Sequence, residues 1–199
     1  MYRLYGMSGS GNCYKPKLLL AHLGISFNWV EIDVRKGESH TPGYLAMNAN
    51  GKVPLLEIAP GKWLAESNAM LCYLAEDSPY LPEDRWQRAQ AMQWLFFEQY
   101  SHEPYIAVAR FIMKYLPAGH ERRRELPRLQ ERGNQALAVM EQQLARQPFF
   151  AGERYSIADI ALFAYTHVAE EGGFNLSHYP AVRGWIGKVR LQAGHIPMS

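Results

Sequence analysis

The hydrophobic pattern divides the chain into two stretches of different period. From residue 1 to 77, short apolar runs alternate with helix-like stripes. Tyr2 to Tyr5 reads as a strand, and glycine and serine fill the loop from Gly6 to Gly11. The leucine-rich segment Lys15 to Leu23 is a helix ended by Gly24. Phe27 to Val34 returns to aromatic and β-branched residues, with Val30, Ile32 and Val34 on one face. A right-handed crossover makes these two strands parallel neighbours. Gly37 to Lys52 is loop-like, with a short helical piece around Tyr44 to Met47. Val53 to Ile58 and Lys62 to Ala65 form a hairpin around Ala59-Pro60-Gly61. Ser67 can cap a last helix, whose stripe is Met70, Leu71 and Leu74.

After Asp77 no strand pattern recurs. Residues 78 to 83 carry the proline-bracketed linker Ser78-Pro79-Tyr80-Leu81-Pro82, and 84 to 199 read as helices. Asp84 to Leu116 has Ala89, Met92, Leu95 and Phe96 on one side, and Pro104 should kink or split it. Glu121 to Arg146 places Leu137, Met140 and Leu144 in register. Ser156-Ile157-Ala158-Asp159 is a capping box opening a helix striped by Ile157, Ile160, Ala161, Ala164 and Val168. Pro180 begins a final helix through Trp185 and Val189. The first stretch, in the order βαβ–loop–ββα, has the thioredoxin topology. The second is an all-helical bundle.

Composition adds exclusions. The chain of 199 residues is 48% hydrophobic and 20% charged, as in an ordinary folded protein. A formal charge of +2, spread along the chain, argues against nucleic acid or an anionic membrane as partner. The one basic run, Arg122 to Arg124, meets Glu125 at once and reads as a solvated helix face. No apolar run approaches the ~20 residues that span a bilayer, and no secretory signal opens the chain. Two distant cysteines, Cys13 and Cys72, make neither a disulfide framework nor a CxxC pair, so a reducing cytoplasm is expected. His102, His120, His167, His178 and His195 lack metal-ligand spacing, and no metal is expected.

Three local patterns then carry a resemblance. They are Met7-Ser8-Gly9-Ser10-Gly11-Asn12, Asn48-Ala49-Asn50-Gly51-Lys52-Val53-Pro54, and Leu64-Ala65-Glu66-Ser67-Asn68-Ala69-Met70. In order, and followed by a helical bundle, they resemble the cytosolic glutathione transferases of the serine-type branch (theta, phi and related bacterial members). The second is similar to the family's N-P-x-G-x-V-P, with Ala49 where proline is common, and the third to its L-x-E-S-x-A-I. The likeness covers essentially the whole chain. It implies glutathione as co-substrate, a small hydrophobic electrophile as second substrate, and a homodimer.

The resemblance also implies roles. Glu66 would take the ammonium group of the γ-glutamyl head, while Ser67, at a helix N-terminus, would take its carboxylate. A cis Val53-Pro54 bond would turn the Val53 backbone toward the cysteinyl residue. Lys52, with Ser39 or His40, would reach the tripeptide's carboxylates. The chemistry needs a thiolate. Lowering a thiol pKa from about 8.5 by roughly two units takes about 2.7 kcal/mol of preferential stabilisation. Ser10 falls on the family's catalytic serine as a hydrogen-bond donor to that thiolate, assisted by Asn12. Ser8 is the alternative, and Cys13 could bring thiol-exchange chemistry. Tyr100, Tyr105, Arg110 and Phe111 lie on the helix that faces the family's second-substrate pocket, with Tyr105 and Arg110 taken as the candidates. Peroxide reduction, dehalogenation, isomerisation or low-turnover glutathione binding are the other functions of such a chain.

Overall fold

A mixed four-stranded sheet forms the heart of the first part of the computed structural model, which describes residues 1–198. The chain runs β1 (Tyr2–Gly6), α1 (Gly11–His22), β2 (Phe27–Glu31), α2 (Pro42–Met47), β3 (Leu55–Ala59), β4 (Lys62–Ala65) and α3 (Ser67–Leu74). Strand order is β2-β1-β3-β4, with β1 parallel to β2 and antiparallel to β3. This is the thioredoxin-like fold that the pattern predicts. Leu4, Leu18, Leu19, Leu55, Leu56, Met70 and Leu71 are buried between the sheet and the α1–α3 pair. At Gly61, φ of 74° closes the β3–β4 hairpin without the steric penalty a Cβ would bring.

Local details depart from the pattern. Helix α1 begins at Gly11 rather than near Lys15, because Ser10 caps it and accepts from the Cys13 amide at 3.4 Å. Strand β2 ends at Glu31, short of Val34. The Asp33 side chain there accepts from the Arg35 amide and opens a 3₁₀ turn that closes on Gly37 at φ 76°. Ser67 is the first residue of α3 and not its cap. Glu66 holds the cap position, at φ 67° and ψ 112°, with no capping side-chain bond.

The chain packs as two units, one of Met1–Ser78 with the described residues from Ala193 on, the other Pro79–Gln192. The pattern predicts 84 to 199 as one helical domain, whereas the described residues from Ala193 on join the first unit: Tyr14 Oη donates to the Ile196 carbonyl, and His22 Nδ1 lies 2.7 Å from that of Ala193.

The second unit is built from α4 (Arg85–Phe97), α5 (Glu103–Tyr115), α6 (Leu126–Leu144), α7 (Ile157–Thr166) and α8 (Pro180–Arg190). Between α4 and α5, Glu98–His102 winds as a π turn, and Pro104 falls in the first turn of α5. A proline there has no N–H to miss, so the wider turn is how the expected interruption is resolved. All ten residues of α7 are buried. Its capping box forms as predicted, and the Asp159 carboxylate also accepts from the Phe150 amide at 3.1 Å and from Trp185 Nε1 at 2.9 Å. Among the described residues, no helix is long and apolar enough to cross a membrane, and no cluster of three His, Cys, Asp or Glu residues could hold a metal ion.

Candidate functional site

The loop between β1 and α1 is held from beneath. Glu31, at the end of β2, accepts from the Ser8 amide and from Ser8 Oγ, both at 2.8 Å, and from Trp29 Nε1 at 2.7 Å. Burial pushes the Glu31 carboxyl up, but these three hydrogen bonds outweigh it and leave the group below its ordinary value. Ser8 is thus engaged in fixing the loop. Lys17 lies 5.2 Å over the Trp29 ring and extends the same clamp. Ser10, half-buried, sits at the helix N-terminus, where orphan amides and the helix dipole favour an anion. Asn12, also half-buried, lies in the first turn of α1.

Cys13 lies in the core beneath this helix start, in hydrogen-bond contact with Ser10. It is 1% exposed, its sulfur accepts from the Met7 amide at 3.4 Å, and burial pushes its thiol up to about 11. A side chain so placed is a core residue, since the thiolate is the reactive form. Only about 10 Å³ of space remains beside it, between the loop and Met198.

The second cluster lies at the start of α3. Glu66 is exposed and Ser67 buried, side by side. A non-glycine residue held at Glu66's φ costs about 1–3 kcal/mol and survives only where its surroundings demand it. Lys15, one turn into α1, is fully buried. Its ammonium donates to Ser67 Oγ and Asn68 Oδ1, each at 3.3 Å. The start of α3 is thereby tied to the turn of helix that follows Ser10. Lys15 has no role in the sequence reading. A signal was present: it stands three and four residues before Leu18 and Leu19, which share its inward face. For Glu31 the sequence offers no such signal.

The Val53–Pro54 bond is cis. The Lys52 carbonyl just before it accepts from Tyr44 Oη and Asn48 Nδ2, both at 2.8 Å, while the Lys52 side chain is exposed. Ser39 is buried with its hydroxyl 3.1 Å from His40 Nδ1, and the His40 ring lies over Gly51. A Cβ on Gly51 would stand 2.9 Å from His40 Nε2, so glycine there lets the imidazole sit beside Lys52. Of the residues expected to bind, Glu66, Ser67, Lys52, Val53, Pro54, Ser39 and His40 all belong to the first unit.

Tyr105 and Arg110 part company. Tyr105 lines an open groove of about 210 Å³ between α5 and α6, with Ser101, Arg132 and Val139 among its walls. Arg110 is 3% exposed and donates from Nε to Glu171 at 2.9 Å, which also accepts from Lys114 Nζ at 2.7 Å. Its guanidinium ties α5 to the segment after α7.

Comparison with known proteins decides the family. Residues 1–76 match the glutathione S-transferase N-terminal domain and residues 90–192 its C-terminal domain. The chain belongs to the glutathione S-transferase family. A solved glutathione S-transferase from Pseudomonas fluorescens is 54% identical, with a TM-score of 0.97 over 99% of this chain and 98% of that one. Another family member from the same organism, solved with two glutathione bound, is 26% identical with a TM-score of 0.84, covering 97% and 89% of the two chains. The disulfide-bond oxidoreductase YfcG of Escherichia coli is 28% identical over 190 residues, 90% of this chain and 86% of that protein. For this glutathione S-transferase family member, the comparisons thus include relatives of more than one named activity.

Proposed function

We propose that the protein is a glutathione transferase that ionises the glutathione thiol beside Ser10 and adds it to a small, largely apolar electrophile. The observation that carries this reading is the pair of linked helix starts. Ser10 caps α1, and Lys15, about one turn on, reaches the Ser67–Asn68 start of α3. An extended peptide with a carboxylate at one end and a thiol in the middle fits two neighbouring anion-favouring positions. Glu66 supplies the carboxylate for the γ-glutamyl ammonium, and its costly backbone geometry is of the kind kept at ligand sites. The backbone of Val53 before cis Pro54 would pair with the cysteinyl residue, and Lys52 with Ser39 or His40 would meet the remaining carboxylate. In the thiolate step the thiol proton passes to solvent water, and the Ser10 hydroxyl turns its hydrogen toward the sulfur while Asn12 assists. The sulfur then forms its bond to the electrophilic carbon as the leaving group departs with the electron pair. Arg110 is left out of the second-substrate pocket because it is consumed by Glu171, whereas Tyr105 keeps that role. A cytoplasmic homodimer completes the proposal.

A second reading rests on the likeness to YfcG. One glutathione thiolate would attack a substrate disulfide, releasing a thiol. A second glutathione would then resolve the mixed disulfide and leave as oxidised glutathione. Buried Cys13 supports a route with no protein thiol in it.

Turnover of 1-chloro-2,4-dinitrobenzene, measured beside retention on immobilised glutathione, tests the proposal. Retention with turnover is expected, and Ser10→Ala should lower kcat by about 10- to 100-fold, the value of one hydrogen bond to a charged group. Turnover of a disulfide alone would favour the second reading. Absence of retention by the native protein would sink both.

A further inference from the structure

Lys15 is an unusual tenant of this core: a lysine with no exposed surface, beneath the site rather than in it. It is too deep to touch a ligand, so any effect must pass through the groups it holds. Those groups include Ser67 Oγ and Asn68 Oδ1, the side-chain acceptors at the first two positions of α3. A hydroxyl and a carboxamide are ambivalent: each can accept or donate. With the ammonium against their oxygens, acceptance from a second cation is disfavoured, and Ser67 keeps its own hydrogen to donate. The Ser67 and Asn68 amides, in the first turn of the helix, are donors as well.

We propose that Lys15 is a positioning residue that makes the start of α3 donor-biased and so fixes which way round the γ-glutamyl head of glutathione binds. Its carboxylate goes to Ser67 and its ammonium to exposed Glu66 next door. This rests on the reading of Glu66 and Ser67 given above. Without Lys15, Ser67 and Asn68 could accept from the head's ammonium group, and the two ends of the head would no longer be told apart. A secondary sign is that the charge of Lys15 reaches the α1 start. Burial dominates the rise of the Cys13 thiol, while Lys15 is among the groups that act to lower it.

The test is calorimetric titration of native protein and of Lys15→Met with two ligands. One is reduced glutathione; the other is γ-aminobutyryl-cysteinyl-glycine, the same tripeptide without the α-carboxylate of its head. Native protein should prefer glutathione by at least about tenfold, in keeping with a charge-assisted hydrogen bond. Lys15→Met should lose most of that preference by weakening glutathione alone, leaving the Kd of the decarboxylated ligand within about twofold. Ser67→Ala should do the same, and the double variant should fall little further. Lys15→Gln, one atom shorter and without the charge, gives the same comparison if the methionine variant does not fold. Equal weakening of both ligands would make Lys15 merely structural and overturn the proposal, as would an unchanged preference. If the native protein binds neither ligand, the assignment of the site itself fails, and Lys15 with it.

Discussion

Ser10 and Cys13 stand three residues apart, yet one is half-exposed at a helix start and the other is in the core. They differ in exposure although they touch: α1 begins at Gly11, Ser10 caps it and accepts from the Cys13 amide, and the Cys13 sulfur is buried against the Met7 amide. A consequence can be measured. The Cys13 thiol ionises near 9 when unfolded and near 11 when folded, so the native state holds its proton more tightly. Its contribution to stability is fully present below pH 9 and is lost as pH rises through 11, at up to about 1.4 kcal/mol per pH unit. Cys13→Ala should flatten the stability profile over that window in urea titrations. In the native protein at pH 8, iodoacetamide should leave Cys13 unmodified by peptide mass mapping; ready labelling would contradict its buried placement. The sequence could not tell the two positions apart, because Gly9 and Gly11 blur where the loop ends and the helix starts. Glu66 and Ser67 were legible as neighbours, but the left-handed backbone of Glu66 was not. Nothing in a glutamate's chemistry announces a positive φ.

Helix α7 shows at the level of an element what one capping residue can hold. Asp159 receives four hydrogen bonds: two backbone amides, the Ser156 hydroxyl and the Trp185 indole. Burial still raises its carboxyl to about 6, so desolvation outweighs the donors. Asp159→Ala would strand buried N–H groups on Phe150, Ser156 and Trp185, and should cost about 3–5 kcal/mol of unfolding free energy. Asp159→Asn, which keeps an acceptor oxygen, should cost less; equal losses would mean that packing, not hydrogen bonding, dominates there. The S-x-x-D signature made this cap readable from sequence, whereas its links to Phe150 and Trp185 depend on tertiary packing. The interruption near Pro104 was readable too. Its form as a π turn was not, because a kink and a widened turn accommodate a proline equally well.

For the molecule as a whole, the α/β half followed by a helical half was visible as a change of hydrophobic period. The path of the last residues was not, since they have no period to read. Phe96 and Tyr100 leave large apolar surfaces open, at 70% and 82% exposure, on consecutive turns of the α4 region. The proposed homodimer gives such side chains a use. Light scattering at micromolar concentration should therefore return twice the chain mass, and Phe96→Glu with Tyr100→Glu should shift it toward the monomer. A native protein that elutes as a monomer would remove the dimer from the proposal.

The return of the tail to α1 changes what counts as a separable piece. In chain order the helical unit is an insertion between Ser78 and Ala193 of the other, interrupting a body whose two stretches are knitted by Tyr14 and His22. Dissecting the protein at the boundary after Ser78 would yield an amputated half, missing the carbonyls that those two rings reach for, so a faithful minimal version of the sheet-bearing unit would have to splice the closing strip back on.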